Sequence, residues 1–248
     1  MNTSYLLDVA VRAALEAGIF LSSLKEVIIC AEQGHDIKLQ VDKDAEKIIV
    51  DILQQTGIPV LSEEAGWIGS NQETALHWIV DPLDGSLNYA RNIPLYCISI
   101  ALWDGDKPLL GIVYDYVHNR LCKGVVGEGA FLNDVSINVS SVTERLQAVM
   151  ATGFPVYSSF ETENLLPFIK DLQSYKKVRL FGSAAFSMMM VAQGSIEVYR
   201  ENNIAWWDVA AGIAIVLAAG GYVDFDFTNK EKHLMRVFAS NHIKLKES

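Results

Sequence analysis

The sequence predicts an α+β half followed by an α/β half, and three observations carry that reading. Two stretches of helical apolar spacing open the chain. Short apolar strands separated by turn residues follow them without intervening helices. Beyond about residue 145, strand-like and helix-like segments alternate, the pattern of an α/β unit. The 248 residues are half apolar and one-fifth charged, which excludes a disordered or fibrous chain. Folding at this length buries roughly 70–75% of the extended surface, enough for a real core.

Each element has its own signal. Leu6, Val9, Ala10, Ala13, Ala17, Phe20 and Leu24 recur at helical spacing and predict a long amphipathic helix over residues 3–29. Gln33-Gly34-His35-Asp36 reads as a polar break. A second helix is predicted over 42–55, with Ala45, Ile48, Ile49 and Ile52 on one face and Gly57 as its stop. Residues 58–61 form a short buried strand running into Ser62-Glu63-Glu64. Another, over 78–80, ends in Asp81-Pro82-Leu83-Asp84-Gly85-Ser86. Strands over 96–103, 109–116 and 121–126, broken at Asp104-Gly105-Asp106 and His118-Asn119, make an antiparallel meander packed on the two helices. In the second half, strands over 148–152, 178–181, 196–199 and 222–224 alternate with helices over 161–173, 183–193 and 209–219. A boundary near residue 140 divides the chain into 1–140 and 141–248.

Charge and composition narrow the function classes. Twenty Lys and Arg against thirty Asp and Glu leave a net charge of −10, with no basic run, which argues against a nucleic-acid or anionic-membrane partner. The most apolar stretch, 209–221, is shorter than the roughly 20 residues a bilayer span takes. The N-terminus has no basic start and carries Asp8, Arg12 and Glu16, unlike a secretory signal. Cys30, Cys97 and Cys122 are odd in number and form no CxxC pair, so they read as reduced thiols. These features predict a soluble, cytoplasmic protein. The five histidines show no ligand spacing and are assigned no role.

The acids are placed where chemistry would need them. Glu63-Glu64, Asp81 and Asp84 each lie at or just past the end of a short apolar strand, and Asp208 opens an apolar helix after Trp206-Trp207. Buried carboxylates raise one another's pKa, and a hard divalent cation with oxygen ligands relieves that cost; Mg²⁺ suits an all-carboxylate and carbonyl set. Pro82 stiffens the turn so that Asp81, the Leu83 carbonyl and Asp84 can converge on metal ions. Gly85 lets a ligand approach the backbone, and a helical turn starting at Ser86 would aim the Gly85 and Ser86 amides at one anion such as phosphate. Metals beside a phosphate cradle define metal-assisted phosphoester hydrolysis. Taken singly, each motif has a bland reading: a solvated turn, a wet surface pair, a helix N-cap. Their joint appearance beside hydrophobic elements is what counts.

Residues 61–64 (LSEE), 78–89 (WIVDPLDGSLNY) and 207–212 (WDVAAG) resemble the three signature segments of the inositol monophosphatase family, which are magnesium-dependent, lithium-sensitive phosphatases. Residues 127–133 (GEGAFLN) and 182–185 (GSAA) resemble further family segments, and the likeness spans about residues 5–240 in the expected order. The resemblance implies a layered αβαβα sandwich and, commonly, a homodimer. Glu63, Asp81 and the Leu83 carbonyl would hold one Mg²⁺, and Asp81, Asp84 and Asp208 a second, with a third near Glu63. Phosphate would rest on the Gly85 and Ser86 amides. Glu63 and the Ser86 hydroxyl, with Asp42 behind it, would orient the attacking water. Ser183, Ala184 and Glu201 are implied as substrate-binding residues.

Two positions depart from the family pattern. Leu39 stands where a Thr is usual, three residues before Asp42, and Ser86 replaces the commoner Thr, keeping the hydroxyl but not the methyl that fixes its rotamer. Ser86-Leu87-Asn88-Tyr89 favours the inositol-phosphatase branch over the 3′,5′-bisphosphate nucleotidases. Glu201 would accept hydrogen bonds from a polyol and repel a second phosphate. Arg200 beside it could instead pair with an extra phosphate, which keeps the nucleotidase as the alternative. A regulatory binding protein on the same fold and an acidic structural subunit are the rivals from other classes.

Overall fold

In the computed structural model, which describes residues 2–24, 29–33, 36–69, 75–153 and 162–244, the first helix, α1 (Thr3–Ser23), begins at a side-chain cap. The Asn2 oxygen accepts from the Ser4 amide at 3.0 Å. Leu6, Val9, Ala10, Ala13 and Ala17 form its buried stripe. The helix stops well short of residue 29. The Ser23 hydroxyl donates back to the Phe20 carbonyl at 2.7 Å, a local bond that competes with helix continuation, and Leu24 is already extended. Residues 25–28 of the expected helix lie outside the described residues. The polar break is flanked by strands, β1 (Ile29–Gln33) pairing antiparallel with β2 (Asp36–Leu39), while its residues 34 and 35 lie outside the described residues. The helix α2 (Gln40–Leu53) buries Val41, Ala45, Ile49, Ile52 and Leu53, and the left-handed Gly57 ends the 3₁₀ turn that follows it.

The large sheet contains β3 (Val60–Ser62), β4 (Gly66–Ile68), β5 (Leu76–Asp84), β6 (Cys97–Asp104), β7 (Lys107–Asp115), β8 (Arg120–Val125), β9 (Gly129–Leu132) and β10 (Val135–Ile137). Its order is β10-β9-β8-β7-β6-β5-β3-β4, antiparallel throughout except for β3 beside β5. The meander is as expected; β4, β9 and β10 are short strands at the sheet's two edges that the sequence reading passed over. The small sheet, β12-β11-β13-β15-β14, is built from β11 (Val149–Thr152), β12 (Lys177–Arg179), β13 (Val198–Ala205), β14 (Tyr222–Asn229) and β15 (Leu234–Ser240). There β11 runs parallel to β12 and β13, while β15 is antiparallel to both its neighbours. Two expectations fail here. The strand expected over 196–199 runs on to Ala205, because polar Arg200 to Asn202 pair with β15, and β15 itself was not anticipated.

Helices fill the space on and between the sheets. On β6, Ile98, Ile100 and Leu102 join the core under α1 and α2. Cys97, Ala101 and Trp103, pointing the other way, join a second core with α5 (Ala184–Ala192) and α6 (Trp206–Ala218). Burial on both faces is why these strands read as continuous apolar runs. Beyond the small sheet, Leu172 of α4 (Thr162–Leu172) packs on the core of Met150, Val198 and Phe238. Five layers result: helix, sheet, helix, sheet, helix. Among the described residues no helix is long and apolar enough to cross a membrane, and Cys97 and Cys122 are free and buried.

The central contact is close. A Cβ at Gly111 of β7 would meet the Ala211 carbonyl oxygen of α6 at 2.3 Å. Gly111→Ala is expected to lower the thermal unfolding midpoint by about 2–12 °C, the consequence of overpacking by about 1–3 kcal/mol in a chain of this size. Differential scanning fluorimetry measures it, and an unchanged midpoint would show that helix and sheet can separate freely.

Candidate active site

The acids are aimed by an irregularity in β5. In its ladder with β6, Asp81 faces Ser99 and Asp84 faces Cys97, so three steps on β5 match two on β6. This is a β-bulge. On a regular strand, residues three apart point to opposite faces; the extra residue returns both carboxylates to the side covered by α5 and α6. Pro82 fits here because it has no amide to offer a ladder and sheets accept Pro at bulges. The Leu83 amide donates to Asp81 Oδ1 at 2.9 Å. Asp81, Leu83 and Asp84 are all buried, so this DxxDG segment is no solvated turn.

Other elements bring further acids to the same place. Glu63 directly follows β3, its amide donating to the Val80 carbonyl at 3.1 Å, and its carboxyl hydrogen-bonds that of Asp81. Asp208 sits in the first turn of α6, whose N-cap is Ala205, so its role is not that of a cap; its charge bears on Asp81. Asp42, buried in the first turn of α2, bears on Glu63. Burial pushes Glu63 up to about 8, with Glu64, Asp42 and Asp84 adding to the rise and the hydrogen bond from Asp81 opposing it. Burial likewise raises Asp81 well above the carboxylate range, reinforced by Glu63, Asp84 and Asp208.

Asp84 is held from the second half of the chain. Its Oδ2 accepts from the Ser183 hydroxyl at 2.7 Å and from the Ala185 amide at 2.6 Å, and the Ala184 and Phe186 amides also contribute. The open N-terminus of α5 therefore closes on a carboxylate from β5. Burial still pushes Asp84 up to about 6 against these bonds. Ser183 and Ala184, expected at the substrate, both bond Asp84, and Ser183 also caps α5 by accepting from the Phe186 amide. Next to Asp84, Gly85 adopts φ 95°, the left-handed region that favours glycine, and starts α3 (Ser86–Ala90). The Ser86 hydroxyl donates to the Leu83 carbonyl at 3.0 Å.

Glu201 is not a loop acid. It lies on β13, where its Oε2 accepts from the Tyr199 hydroxyl at 2.8 Å and its carboxylate also takes the Gly153 amide. Burial, with Asp84 nearby, pushes it up to about 7. Tyr199 and Gly153 were not found from sequence; the i, i+2 spacing of Tyr199 and Glu201 on one strand face was the available signal. Arg200 points elsewhere and donates to Asp171 Oδ2 at 2.8 Å, beside Arg145 at 2.7 Å on the other oxygen.

The donor set is all oxygen: clustered carboxylates and one main-chain carbonyl. None of the principal influences on the raised pKa values of Glu63, Asp81 and Asp84 comes from a cationic side chain. Such a set fits a hard divalent cation. Among the described residues no three acidic, His or Cys groups stand ready as a closed metal cage; Glu63 and Asp81 meet through a hydrogen bond, and the Leu83 carbonyl is taken by Ser86.

The model of the inositol monophosphatase family matches residues 2–247. The chain belongs to that family. Within the inositol monophosphatase family it is 35% identical to an inositol-1-monophosphatase of Synechocystis, over 95% of this chain and 84% of that protein. It is 33% identical to the Nus factor SuhB of Haemophilus influenzae, over 98% of this chain and 93% of that one. The solved inositol monophosphatase of Anabaena superposes with a TM-score of 0.83 at 33% identity, covering 97% of this chain and 92% of that one. The layered sandwich is thus the inositol monophosphatase fold. Of the two departures from the family pattern, the Leu39 side chain lies outside the described residues, while the Ser86 hydroxyl is in place on Leu83.

Proposed function

We propose that the chain is a Mg²⁺-dependent phosphomonoesterase acting on inositol monophosphate or a similar sugar or polyol monophosphate. Family membership supports a phosphatase. The observation that carries the reading is the convergence of Glu63, Asp81, Asp84 and Asp208, from three separate stretches of chain, beside the left-handed Gly85. Glu63, Asp81 and the Leu83 carbonyl, with Asp84 and Asp208, would hold two Mg²⁺ ions, a third lying near Glu63. Bound there, Mg²⁺ supplies Lewis acidity, lowering a water's pKa and drawing charge from the phosphate oxygens. Without metal, burial raises Glu63 to about 8, so Mg²⁺ binding there would require its proton to be released. The Ser86 hydroxyl and Asp42 orient the attacking water, and the Gly85 and Ser86 amides receive the phosphate. The same reading takes the protein as a cytoplasmic homodimer. It divides the chain into 1–140, with most of the ligands, and 141–248, with Asp208 and Glu201.

For the substrate, Glu201 offers a fixed acceptor for ring hydroxyls, and Arg200 is committed to Asp171 rather than to a second phosphate. Both support a polyol monophosphate over a bisphosphate. Phosphate release from inositol 1-phosphate and from adenosine 3′,5′-bisphosphate, measured across Mg²⁺ concentrations, tests this. The first is expected to be preferred and to be inhibited by millimolar lithium. Glu201→Gln is expected to raise KM for inositol 1-phosphate by about tenfold, the cost of a weakened buried acceptor. Preference for the bisphosphate would overturn the substrate class. Absence of both phosphate release and Mg²⁺ binding would overturn the enzyme. It would favour a regulatory binding protein on the same fold, a reading whose support is the name Nus factor carried by the Haemophilus relative.

A further inference from the structure

The helix α2 carries a second buried acid that the proposed chemistry leaves without a part. Glu46 lies one turn beyond Asp42, at the i+4 position that shares its face, and is 7% exposed. Its Oε1 accepts from two consecutive main-chain amides, Glu64 at 3.2 Å and Ala65 at 3.1 Å. Those amides open the turn between β3 and β4, immediately after Glu63. From one face of α2, then, Asp42 bears on the Glu63 side chain while Glu46 grips the backbone that follows it.

The turn needs a grip at this point. Glu63 is held on its N-terminal side by the β3 ladder, through its own amide on Val80. On its C-terminal side the chain leaves the sheet, and a free turn there could rotate the Glu63 carboxyl away from Asp81. A buried carboxylate oxygen accepting two amides fixes the peptide planes of residues 64 and 65, and a shift of about 1 Å in such a support is enough to spoil a site. A single oxygen serves both amides, so its position rather than its charge sets the geometry.

We propose that Glu46 is a positioning residue, clamping the 64–65 backbone from α2 and so fixing the direction in which Glu63 leaves β3 toward Asp81. The inference deepens the proposed function and rests on Glu63 as a Mg²⁺ ligand. Glu46→Gln keeps an acceptor oxygen at the same reach, Glu46→Asp withdraws it by one methylene, and Glu46→Ala removes it.

Mg²⁺ is titrated into the wild type and each variant, and two half-saturating concentrations are read. One is for the Mg²⁺-induced rise in unfolding midpoint; the other is for phosphate release from inositol 1-phosphate. Ala and Asp are expected to need about tenfold more Mg²⁺ or more in both, with kcat at saturating Mg²⁺ little changed, and Gln to stay within about threefold of wild type. An Ala or Asp variant with a lowered midpoint but wild-type Mg²⁺ half-saturation overturns the clamp and leaves a structural brace. Should Ala not fold, Asp against Gln decides, and equal half-saturation in those two overturns it as well. A wild-type chain indifferent to Mg²⁺ in the midpoint assay brings down the metal-site reading itself, and this inference with it.

Discussion

Asp81→Asn is expected to abolish phosphate release and, in the absence of Mg²⁺, to make the protein more stable at pH 8. The substitution is isosteric, and an Asn oxygen still accepts from the Leu83 amide that Asp81 Oδ1 now engages. What disappears is a buried acid that the fold holds far above its ordinary pKa. Each unit by which burial raises a carboxyl pKa corresponds to about 1.4 kcal/mol against its ionised form. Removing Asp81 relieves its own strain and ends the proton contest with Glu63. A gain of about 1–2 kcal/mol raises the midpoint of a chain this size by about 3–6 °C. Loss of a ligand common to both proposed ions is expected to cost about a thousandfold or more in rate. It should also remove the Mg²⁺-induced rise in midpoint. Thermal melts in EDTA and in Mg²⁺, beside a phosphate-release assay, check all three. A variant less stable than wild type in EDTA would mean that Asp81 supports the fold rather than straining it.

Metal-free protein is expected to lose stability steadily as pH rises from about 4 to about 8, and Mg²⁺ is expected to restore it. The folded-state values for Asp84, Glu201 and Glu63 are about 6, 7 and 8, all above the ordinary carboxylate range. The native chain therefore keeps protons that the unfolded chain has already released. Stability falls through that window and is fully present only below it, where both states are protonated. Cation binding requires the deprotonated acids, so Mg²⁺ affinity should climb over the same interval and binding should release protons. Urea unfolding at several pH values in EDTA reads the first effect; calorimetry in buffers of different ionisation heat reads the second. A midpoint flat from pH 5 to 8 in EDTA would place the acids in water.

Much of the fold was legible because its signals are local. The α1 and α2 stripes, the central meander and the alternating second half all follow from apolar spacing. Elements that depend on partners far away in sequence were not. The polar run from Arg200 to Asn202 becomes strand only because β15 lies beside it. β15 itself has no turn signal that distinguishes a buried central strand from the end of a loop. The acids showed the same split. Glu63, Asp81, Asp84 and Asp208 stood out as charges flanking hydrophobic elements. Their supports, among them the α5 amides on Asp84, Tyr199 on Glu201 and Glu46 behind Glu63, are contacts across 2 to 101 positions. Of these supports, the strand pair Tyr199 and Glu201 and the helical pair Asp42 and Glu46 left a spacing in the sequence.

The bulge at Pro82 also sets a rule of parity for this stretch of chain. Deleting a single residue between Asp81 and Asp84 would let β5 resume regular pairing with β6, and it would leave both acids in the sequence. They would then stand an even number of residues apart on an uninterrupted strand, on one side as before, but with Leu83 or Pro82 gone from between them and without the local bend that the bulge supplies. Inserting one residue with the bulge retained would instead send Asp84 to the α2 side, away from the amides of α5. Loop length here is as much a part of the chemistry as the identity of the acids, and drift in the surrounding sequence is free only so long as that count is kept.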